Sequence, residues 1–593
     1  MSRRPGGRLD RLAVGIVALP VLVLAAVTAS VAQGPWGDQA VILLSTDRAA
    51  SLRQLVGPYS RFGWSHPGPL YFYLLALPYK LLGSTERGLA VGSVLLTGAF
   101  AIGTVAAAGA LAGPRAARWA GALSMVELAA LGPTTVAQVW NPVAIIVPTG
   151  TFLVCAAALA RGRRWALPAC VVLGSFLVQT DVGTGVLVAG IGALALAVGL
   201  STTGGGAGGG AWIEGGGGGL GDGVGPGWPI RALTGSAVLG LVLWLPPLVQ
   251  EAGSRPGNLT QLVRFFTSSP PHQTPVHAVE AIGGALWPPF RGRLDARSPG
   301  LAVAVVVLVV FLGAVAATLR VARRRRRPEA GWLAAMAGLG LVAGVISADR
   351  VTGPLFSYLT DWSSAAAVVL LLALALALAP RLRPEWVGLL AGLALVAVSL
   401  INPPAGTIPG AQVDALWAQL RPQLTAGEPV HLRLASPGRW PWQAGVMVDL
   451  TRSGHPVSVD QSWLFLFGTQ FAGGATSASG TTSAGGATSA GSGAGPPGGL
   501  LVFWAPGAGP VPAGRLVAEV PGTSVYLSPA SRSGSEPNHS STPLTPSSTG
   551  VQGTQPRWMP AFPGSRQLLA SSPGRAGARS GAASTPAAAA MAW

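Results

Sequence analysis

The densest group of reactive side chains falls in the stretch GPWGDQAVILLSTDRAASLRQLVGPYSRFGWSHPGPLYFYLLALPY, which follows the first apolar run. Asp38 opens it, and Asp47, Arg48, Arg53, Tyr59, Arg61, Trp64 and His66 follow before a Pro- and Tyr-rich segment. A carboxylate beside several cations at a low-dielectric boundary can serve as a general base. Arg and His nearby can hold a phosphate. The competing reading is a solvated loop in which Asp38 caps a short amphipathic helix. Asp47 is the rival base. It lies about nine residues on, ~13 Å along the axis if the intervening chain is helical, and reads as an ion-paired acid on a solvated face.

Weaker candidates follow along the chain. Arg350 precedes Pro354, Tyr358, Asp361 and Trp362, and an Arg at such a depth either holds a lipid phosphate or anchors the interface. Asp181, after Gln179 and Thr180, reads equally as a cavity-lining acid or as a helix-end residue. The run HQTPVHAVE, with His272, His277 and Glu280, lacks the spacing of a zinc site. Cys155 and Cys170 lie in apolar runs and read as packing residues. The glycine-rich run Thr203–Gly225 has no Lys-Ser/Thr ending and is not a phosphate-binding loop. Asn258-Leu-Thr260 fits a glycosylation acceptor pattern, but in a bacterial-looking chain it is set aside.

The elements that position these residues are set by composition. Of 593 residues, 50% are hydrophobic and 10% charged, against roughly 25% charged in soluble globular proteins. That excludes an ordinary cytosolic enzyme, a disordered chain and a DNA-binding domain. Apolar runs near 20 residues recur from Leu12 to Ile401, so most of the chain is membrane. The spans read as 12–32, 89–112, 117–132, 143–160, 166–181, 184–200, 231–249, 300–319, 330–347, 362–379 and 385–401.

The segment 66–83 is short, carries Pro67, Pro69 and Pro78 among its tyrosines, and reads as an interfacial helix. If it does not cross, the net charge of +18 distributes sensibly. RGRR, RVARRRRR and PRLRP then share the cytoplasmic side, as the positive-inside rule requires. The expectation is about eleven spans in the cell membrane, with the N-terminus cytoplasmic and the C-terminal region outside. Nearly every basic residue is Arg, Lys80 being the sole lysine; this pattern suits codon bias, so Arg abundance alone says little about function.

Residues 1–401 are therefore expected to form the membrane domain, with an outer loop at 33–87. After Ile401 the texture changes. Ala411–Leu424 reads as a helix, Trp442–Arg452 as a further one, and Pro429–Ala435, Pro456–Asp460, Leu500–Trp504 and Arg515–Val520 as strands. A small α/β domain over 402–527 is expected, with a low-complexity insert at 472–499 and a disordered tail over 528–593.

In order, Asp38 in GDQA, His66-Pro67-Gly68-Pro69-Leu70-Tyr71, Gly83-Ser84-Thr85-Glu86-Arg87 and Trp140-Asn141-Pro142 resemble the polytopic GT-C glycosyltransferases, close to the protein O-mannosyltransferase and aminoarabinose transferase type. The resemblance covers about residues 12–400 and is strongest over 34–142. It implies a mainly α integral membrane fold and transfer of a sugar from a polyprenyl-phosphate donor to a glycan, lipid or protein acceptor outside the membrane. Asp38 would be the catalytic base. Arg61, His66 and Arg350 would bind the donor phosphate, and Tyr59, Asn141 and Tyr358 would line the cavity or the acceptor site. No metal ligand and no resident cofactor is assigned, and no nucleic acid is expected. The family's second outer loop usually carries Asp-Pro. Asn141 stands there in this chain and cannot hold a negative charge.

Two rival readings differ in class. A transporter or flippase needs charged or broken helices at the midplane and often an internal repeat; the polar residues here gather at helix ends instead. A non-enzymatic scaffold displaying the C-terminal region would tolerate loss of Asp38.

Overall fold

A computed structural model describes residues 10–31, 33–204, 230–268, 272–286, 300–378, 381–404, 408–473 and 499–528. The glycine-rich run and the expected insert lie almost entirely outside the described residues, and so does nearly all of the tail.

Among the described residues, ten helices are long and apolar enough to cross a membrane. They are Arg11–Ser30, Glu86–Ala112, Pro114–Ala137, Asn141–Ala160, Val182–Thr202, Ile230–Gly253, Leu301–Arg324, Pro328–Asp349, Asp361–Leu378 and Pro384–Ile401. The remaining expected span is the apolar helix Ala166–Thr180, 15 residues long and about 22 Å in length. Hydrocarbon offers no partner for backbone N–H and C=O groups, so runs of Ala, Val and Leu satisfy them within each helix.

Small residues bring the helices close. A Cβ on Gly98 would stand 2.5 Å from Val21, and one on Gly388 would stand 2.6 Å from Ile16. Helix 11–30 thereby seats against 86–112, 114–137 and 384–401. The 141–160 helix is wholly buried at the centre.

The helix Leu70–Leu81 has 12 residues, about 18 Å. Before it, the Gly68 N–H donates to the Gln179 carbonyl at 3.5 Å. After it, the Ser84 carbonyl accepts from Arg452 at 2.6 Å. The segment thus leaves and rejoins the same end of the bundle.

The opposite end is rich in arginine. Arg118 pairs with Asp10 at 2.9 Å and Glu385 at 3.0 Å, and Arg161 with Glu329 at 3.2 Å. Arg325 and Arg327 donate to the carbonyls of Leu376, Ala377 and Leu378. These end the 365–378 helix, where cations meet the negative pole of the helix dipole. The sequence reading gave the RRRRR run a topological role only; its capping role depends on which helix end lies beside it.

Among the described residues, the C-terminal region holds a five-stranded sheet: β1 (Val430–Leu434), β2 (Val457–Val459), β3 (Gly499–Trp504), β4 (Arg515–Val520) and β5 (Thr523–Ser528), in the order β2-β1-β3-β5-β4. β1 runs parallel to β2 and β3, and β5 is antiparallel to β3 and β4. Leu432, Val459, Leu501, Phe503 and Val525 are buried in one core with Val413, Leu416, Val446 and Met447 from the helices 408–420 and 440–452. β5 went unread in the sequence. It follows β4 after only Pro521-Gly522, and Gly522 takes φ +80°, a left-handed turn that returns the chain onto its neighbour.

This region is clamped to the loops at one end of the bundle. Gln33 Nε2 donates to the Pro404 carbonyl at 2.7 Å, Trp36 meets Trp442 edge-on at 6.0 Å, and Arg452 pairs with Glu86. Gly445 lies so close to the 33–38 segment that a Cβ would stand 2.3 Å from the Pro35 carbonyl oxygen.

Candidate active site

Asp38 sits in the first turn of the helix Gly37–Ala50, whose N-cap position is held by Trp36. Its carboxylate does not cap that helix, and the helix is buried along Ala40–Leu44 rather than amphipathic. Instead Oδ1 accepts the Tyr59 hydroxyl, and the Trp140 indole N–H makes a second hydrogen bond. Burial pushes the Asp38 pKa up, and the Tyr59 and Trp140 hydrogen bonds oppose that rise. A general base requires this balance: ionisable, yet poised above an ordinary aspartate.

A tight hairpin delivers Tyr59, Arg61 and His66. Tyr59 bridges Ser65, Ser60 N–H donates to the Trp64 carbonyl at 2.9 Å, and His66 N–H donates to the Pro58 carbonyl at 2.7 Å. Gly63 closes the tip at φ +86°, a conformation that glycine adopts without steric cost. Burial and the Asp38 charge push the Tyr59 pKa well up, so the phenol remains a donor.

Arg61 Nη2 donates to the carbonyls of Thr352 at 2.7 Å and Pro354 at 2.9 Å, and its guanidinium lies 5.3 Å from the Phe356 ring. Burial pushes its pKa down, and Tyr358 opposes this. The residue therefore ties the hairpin to the 350–358 loop as well as bringing a cation to the site. Tyr358 stacks with Phe356 at 5.5 Å and meets Trp140 at 4.8 Å. Its pKa is pushed up to about 12, mainly by burial, with Arg61 opposing and the charges of Asp38 and Asp181 adding. Tyr358 thus stands within electrostatic reach of both acids and of the arginine.

His66 is buried, and its Nδ1 accepts the Val182 N–H at 3.0 Å. In the neutral ring this places the proton on Nε2, which is the tautomer the hydrogen bond assigns. Burial pushes the His66 pKa down, and Asp181 opposes. His66 thereby presents one N–H donor rather than a full positive charge.

Asn141 begins the short helix Asn141–Ala144, and its Nδ2 donates to the Thr180 carbonyl at 3.4 Å. Next to that carbonyl, Asp181 is buried and its Oδ1 accepts the Gly183 N–H at 2.8 Å. Asn141 therefore touches the segment that brings in a second acid. The sequence reading left Asp181 between cavity and helix end; it caps a turn and also bears electrostatically on His66 and Tyr358.

The structure does not join every candidate to this cluster. Arg350 is exposed at the end of the 328–349 helix, and its side chain makes no hydrogen bond or ion pair among the described residues. Asp47 pairs with Lys80 at 2.9 Å, both half exposed. Asn258, in the glycosylation-like triplet, is buried and exchanges two hydrogen bonds of 2.9 Å with the Ser65 backbone. Its role is to hold the hairpin. Trp140 was noted in the sequence only as part of a motif; the available signal for its role was that an indole N–H near a membrane end needs a partner when buried.

No family model matches the chain, and no curated protein matches it. Among solved structures, the chain is similar to the crystal structure of ArnT from Cupriavidus metallidurans bound to undecaprenyl phosphate, at 14% identity and a TM-score of 0.42, covering 88% of this chain and 98% of that one. It is also similar to ArnT from Cupriavidus metallidurans in the apo state, at 13% identity and a TM-score of 0.40, with the same coverage of both chains.

Proposed function

We propose that the protein is a membrane glycosyltransferase of GT-C type that moves a sugar from a polyprenyl-phosphate donor to an extracytoplasmic acceptor. The observation that carries this reading is the buried Asp38 carboxylate held by Tyr59 and Trp140 at the bundle end that also gathers Arg61, His66 and Tyr358. The arginine-rich opposite end is assigned to the cytoplasm by the positive-inside rule, which puts the site outside, with the C-terminal region beside it.

In the proposed reaction the acceptor hydroxyl gives its proton to Asp38 and its oxygen attacks C1 of the sugar. The bond between C1 and the phosphate oxygen breaks, and its electron pair leaves with the polyprenyl phosphate. Direct displacement inverts the anomeric centre. The charge growing on the leaving phosphate would be met by the Arg61 guanidinium and the His66 Nε2–H, groups already fixed in place and so needing little reorganisation.

The test is transfer from labelled polyprenyl-phosphate sugars by purified protein. Asp38→Asn should lower turnover by about 10²–10⁴-fold, the usual cost of removing a general base, with donor binding retained. Asp47→Asn should cost much less. The reverse ranking, or unchanged turnover in Asp38→Asn, would sink the assignment.

A further inference from the structure

A groove of about 470 Å³ runs along the arginine-rich half of the membrane bundle. The helix 328–349 packs against both 301–324 and 182–202 and forms its floor, where Ala335 and Gly338 leave room. Leu194 and Val198 line one wall, and Leu312, Val315 and Leu319 line the other. Gly338 lies so close to Val315 that a Cβ would stand 3.3 Å from it. Leu194, Leu312 and Val342 are exposed, so the groove opens away from the bundle.

Its dimensions limit what can enter. Along the floor it extends from Trp332 to Val342, about 15 Å of helix. That is half of a hydrocarbon core of about 30 Å, the depth of one leaflet. Spread over that length, a volume of 470 Å³ leaves a cross-section of about 30 Å². A helix at least ~10 Å across fills roughly 80 Å², so a helix of a second copy does not fit inside. A single hydrocarbon chain does.

The Trp332 end of the groove meets the basic run. Arg323 follows Leu319 by one turn and falls on the same stripe of its helix, and Arg320, Arg323, Arg324 and Arg326 are all exposed. Among the described residues, the acids at this end are Asp10, Glu385 and Glu329, and they pair with Arg118 and Arg161. Trp332 lies one turn into its helix, at the depth where an indole sits between hydrocarbon and headgroups. An apolar groove with a positive mouth suits a ligand with a hydrocarbon tail and an anionic head.

We propose that this groove holds one acyl chain of an anionic phospholipid from the leaflet at the arginine-rich end, with the lipid phosphate against the 320–326 run. The Asp38 cluster lies at the opposite end of the bundle, so this site is separate from the donor site and does not depend on the transferase reading.

The test uses the full chain, purified in detergent and stripped of lipid by exchange. Phosphatidylglycerol, phosphatidylcholine of the same chain length and a polyprenyl phosphate are titrated in, and bound lipid is read by native mass spectrometry. Phosphatidylglycerol should bind at one per chain and at least about fivefold more tightly than phosphatidylcholine, since one arginine near the surface is worth ~1 kcal/mol toward an anionic lipid. Ala335→Phe and Val342→Phe fill the groove and should weaken both phospholipids by about tenfold, as displacing two methylenes does. Arg320→Gln with Arg324→Gln should weaken phosphatidylglycerol by about fivefold per arginine and leave phosphatidylcholine unchanged. Should Ala335→Phe fail to fold, Val342→Phe, at the exposed edge, carries the test. The proposal is overturned if the filled variants bind phosphatidylglycerol as wild type does, or if phosphatidylcholine binds equally well. It is also overturned if polyprenyl phosphate displaces phosphatidylglycerol at equal concentration, which would give the groove to the donor. A dimer that the filled variants split without losing lipid would give it to a second copy and overturn the proposal as well.

Discussion

Tyr59→Phe removes one oxygen atom and tests the site in a graded way. In the wild type the Tyr59 hydroxyl donates to Asp38 Oδ1, and that bond opposes the rise in the Asp38 pKa caused by burial. Phenylalanine keeps the ring against Trp440 and Phe465 but supplies no donor. Hydrogen bonds to charged groups are worth about 1.5–3 kcal/mol, and 1.4 kcal/mol is a factor of ten. Loss of the hydroxyl should therefore favour the protonated acid by about ten- to a hundredfold. The base needs the ionised form, so the acid limb of the kcat/KM profile should move to higher pH. At alkaline pH, where Asp38 is ionised in both proteins, much of the rate should return. The assay is transfer from a labelled polyprenyl-phosphate sugar across the pH range, with Asp38→Asn as the floor. An acid limb that stays in place, or moves to lower pH, would refute the view that Tyr59 supports the ionised base. A uniform loss at every pH would make Tyr59 a positioning group only.

Asp38→Asn should raise the Tm at neutral pH although it abolishes most turnover. Burial raises the folded-state pKa above the usual 3.8, so any stability from the protonated carboxyl is present below that value and lost as pH rises through the folded pKa. The gain over wild type should shrink toward acid, and a gap that widened there would contradict the sign. Gly445→Ala places a Cβ 2.3 Å from the Pro35 oxygen and 2.6 Å from Val413; it should cost about 1–3 kcal/mol, as overpacking does, read as a lower Tm together with weaker transfer. For orientation, a cysteine replacing Arg163 should be shielded from an impermeant maleimide in intact cells, while one replacing the exposed Val511 should label; labelling at position 163 would overturn the proposed topology.

The membrane architecture was legible in the sequence because its cause is local. A run of about 20 apolar residues must hydrogen-bond within itself wherever it lies in hydrocarbon, so ten long helices could be read from composition alone. Charge density along the chain separated the two ends of the bundle for the same reason: each Arg cluster sits beside its own helix end. Four of the five strands were visible as short β-rich runs. β5 was not, since its partner register with β4 and β3 is set by a turn and a sheet rather than by its own six residues.

The site was only partly legible. Spacing identified Asp38, Tyr59, Arg61 and His66 as candidates, because they share one short segment. Their chemistry was decided by distant parts of the chain. Trp140 reaches the Asp38 carboxyl, the carbonyls of Thr352 and Pro354 occupy Arg61, and the Val182 N–H sets the His66 tautomer. Trp440 and Phe465, some 400 residues away in sequence, frame Tyr59. A sequence records which donors and acceptors a chain possesses. Which of them are already taken, and which are buried enough to shift a pKa, depends on contacts between segments that carry no local signal for one another, and only the packed tertiary structure settles that.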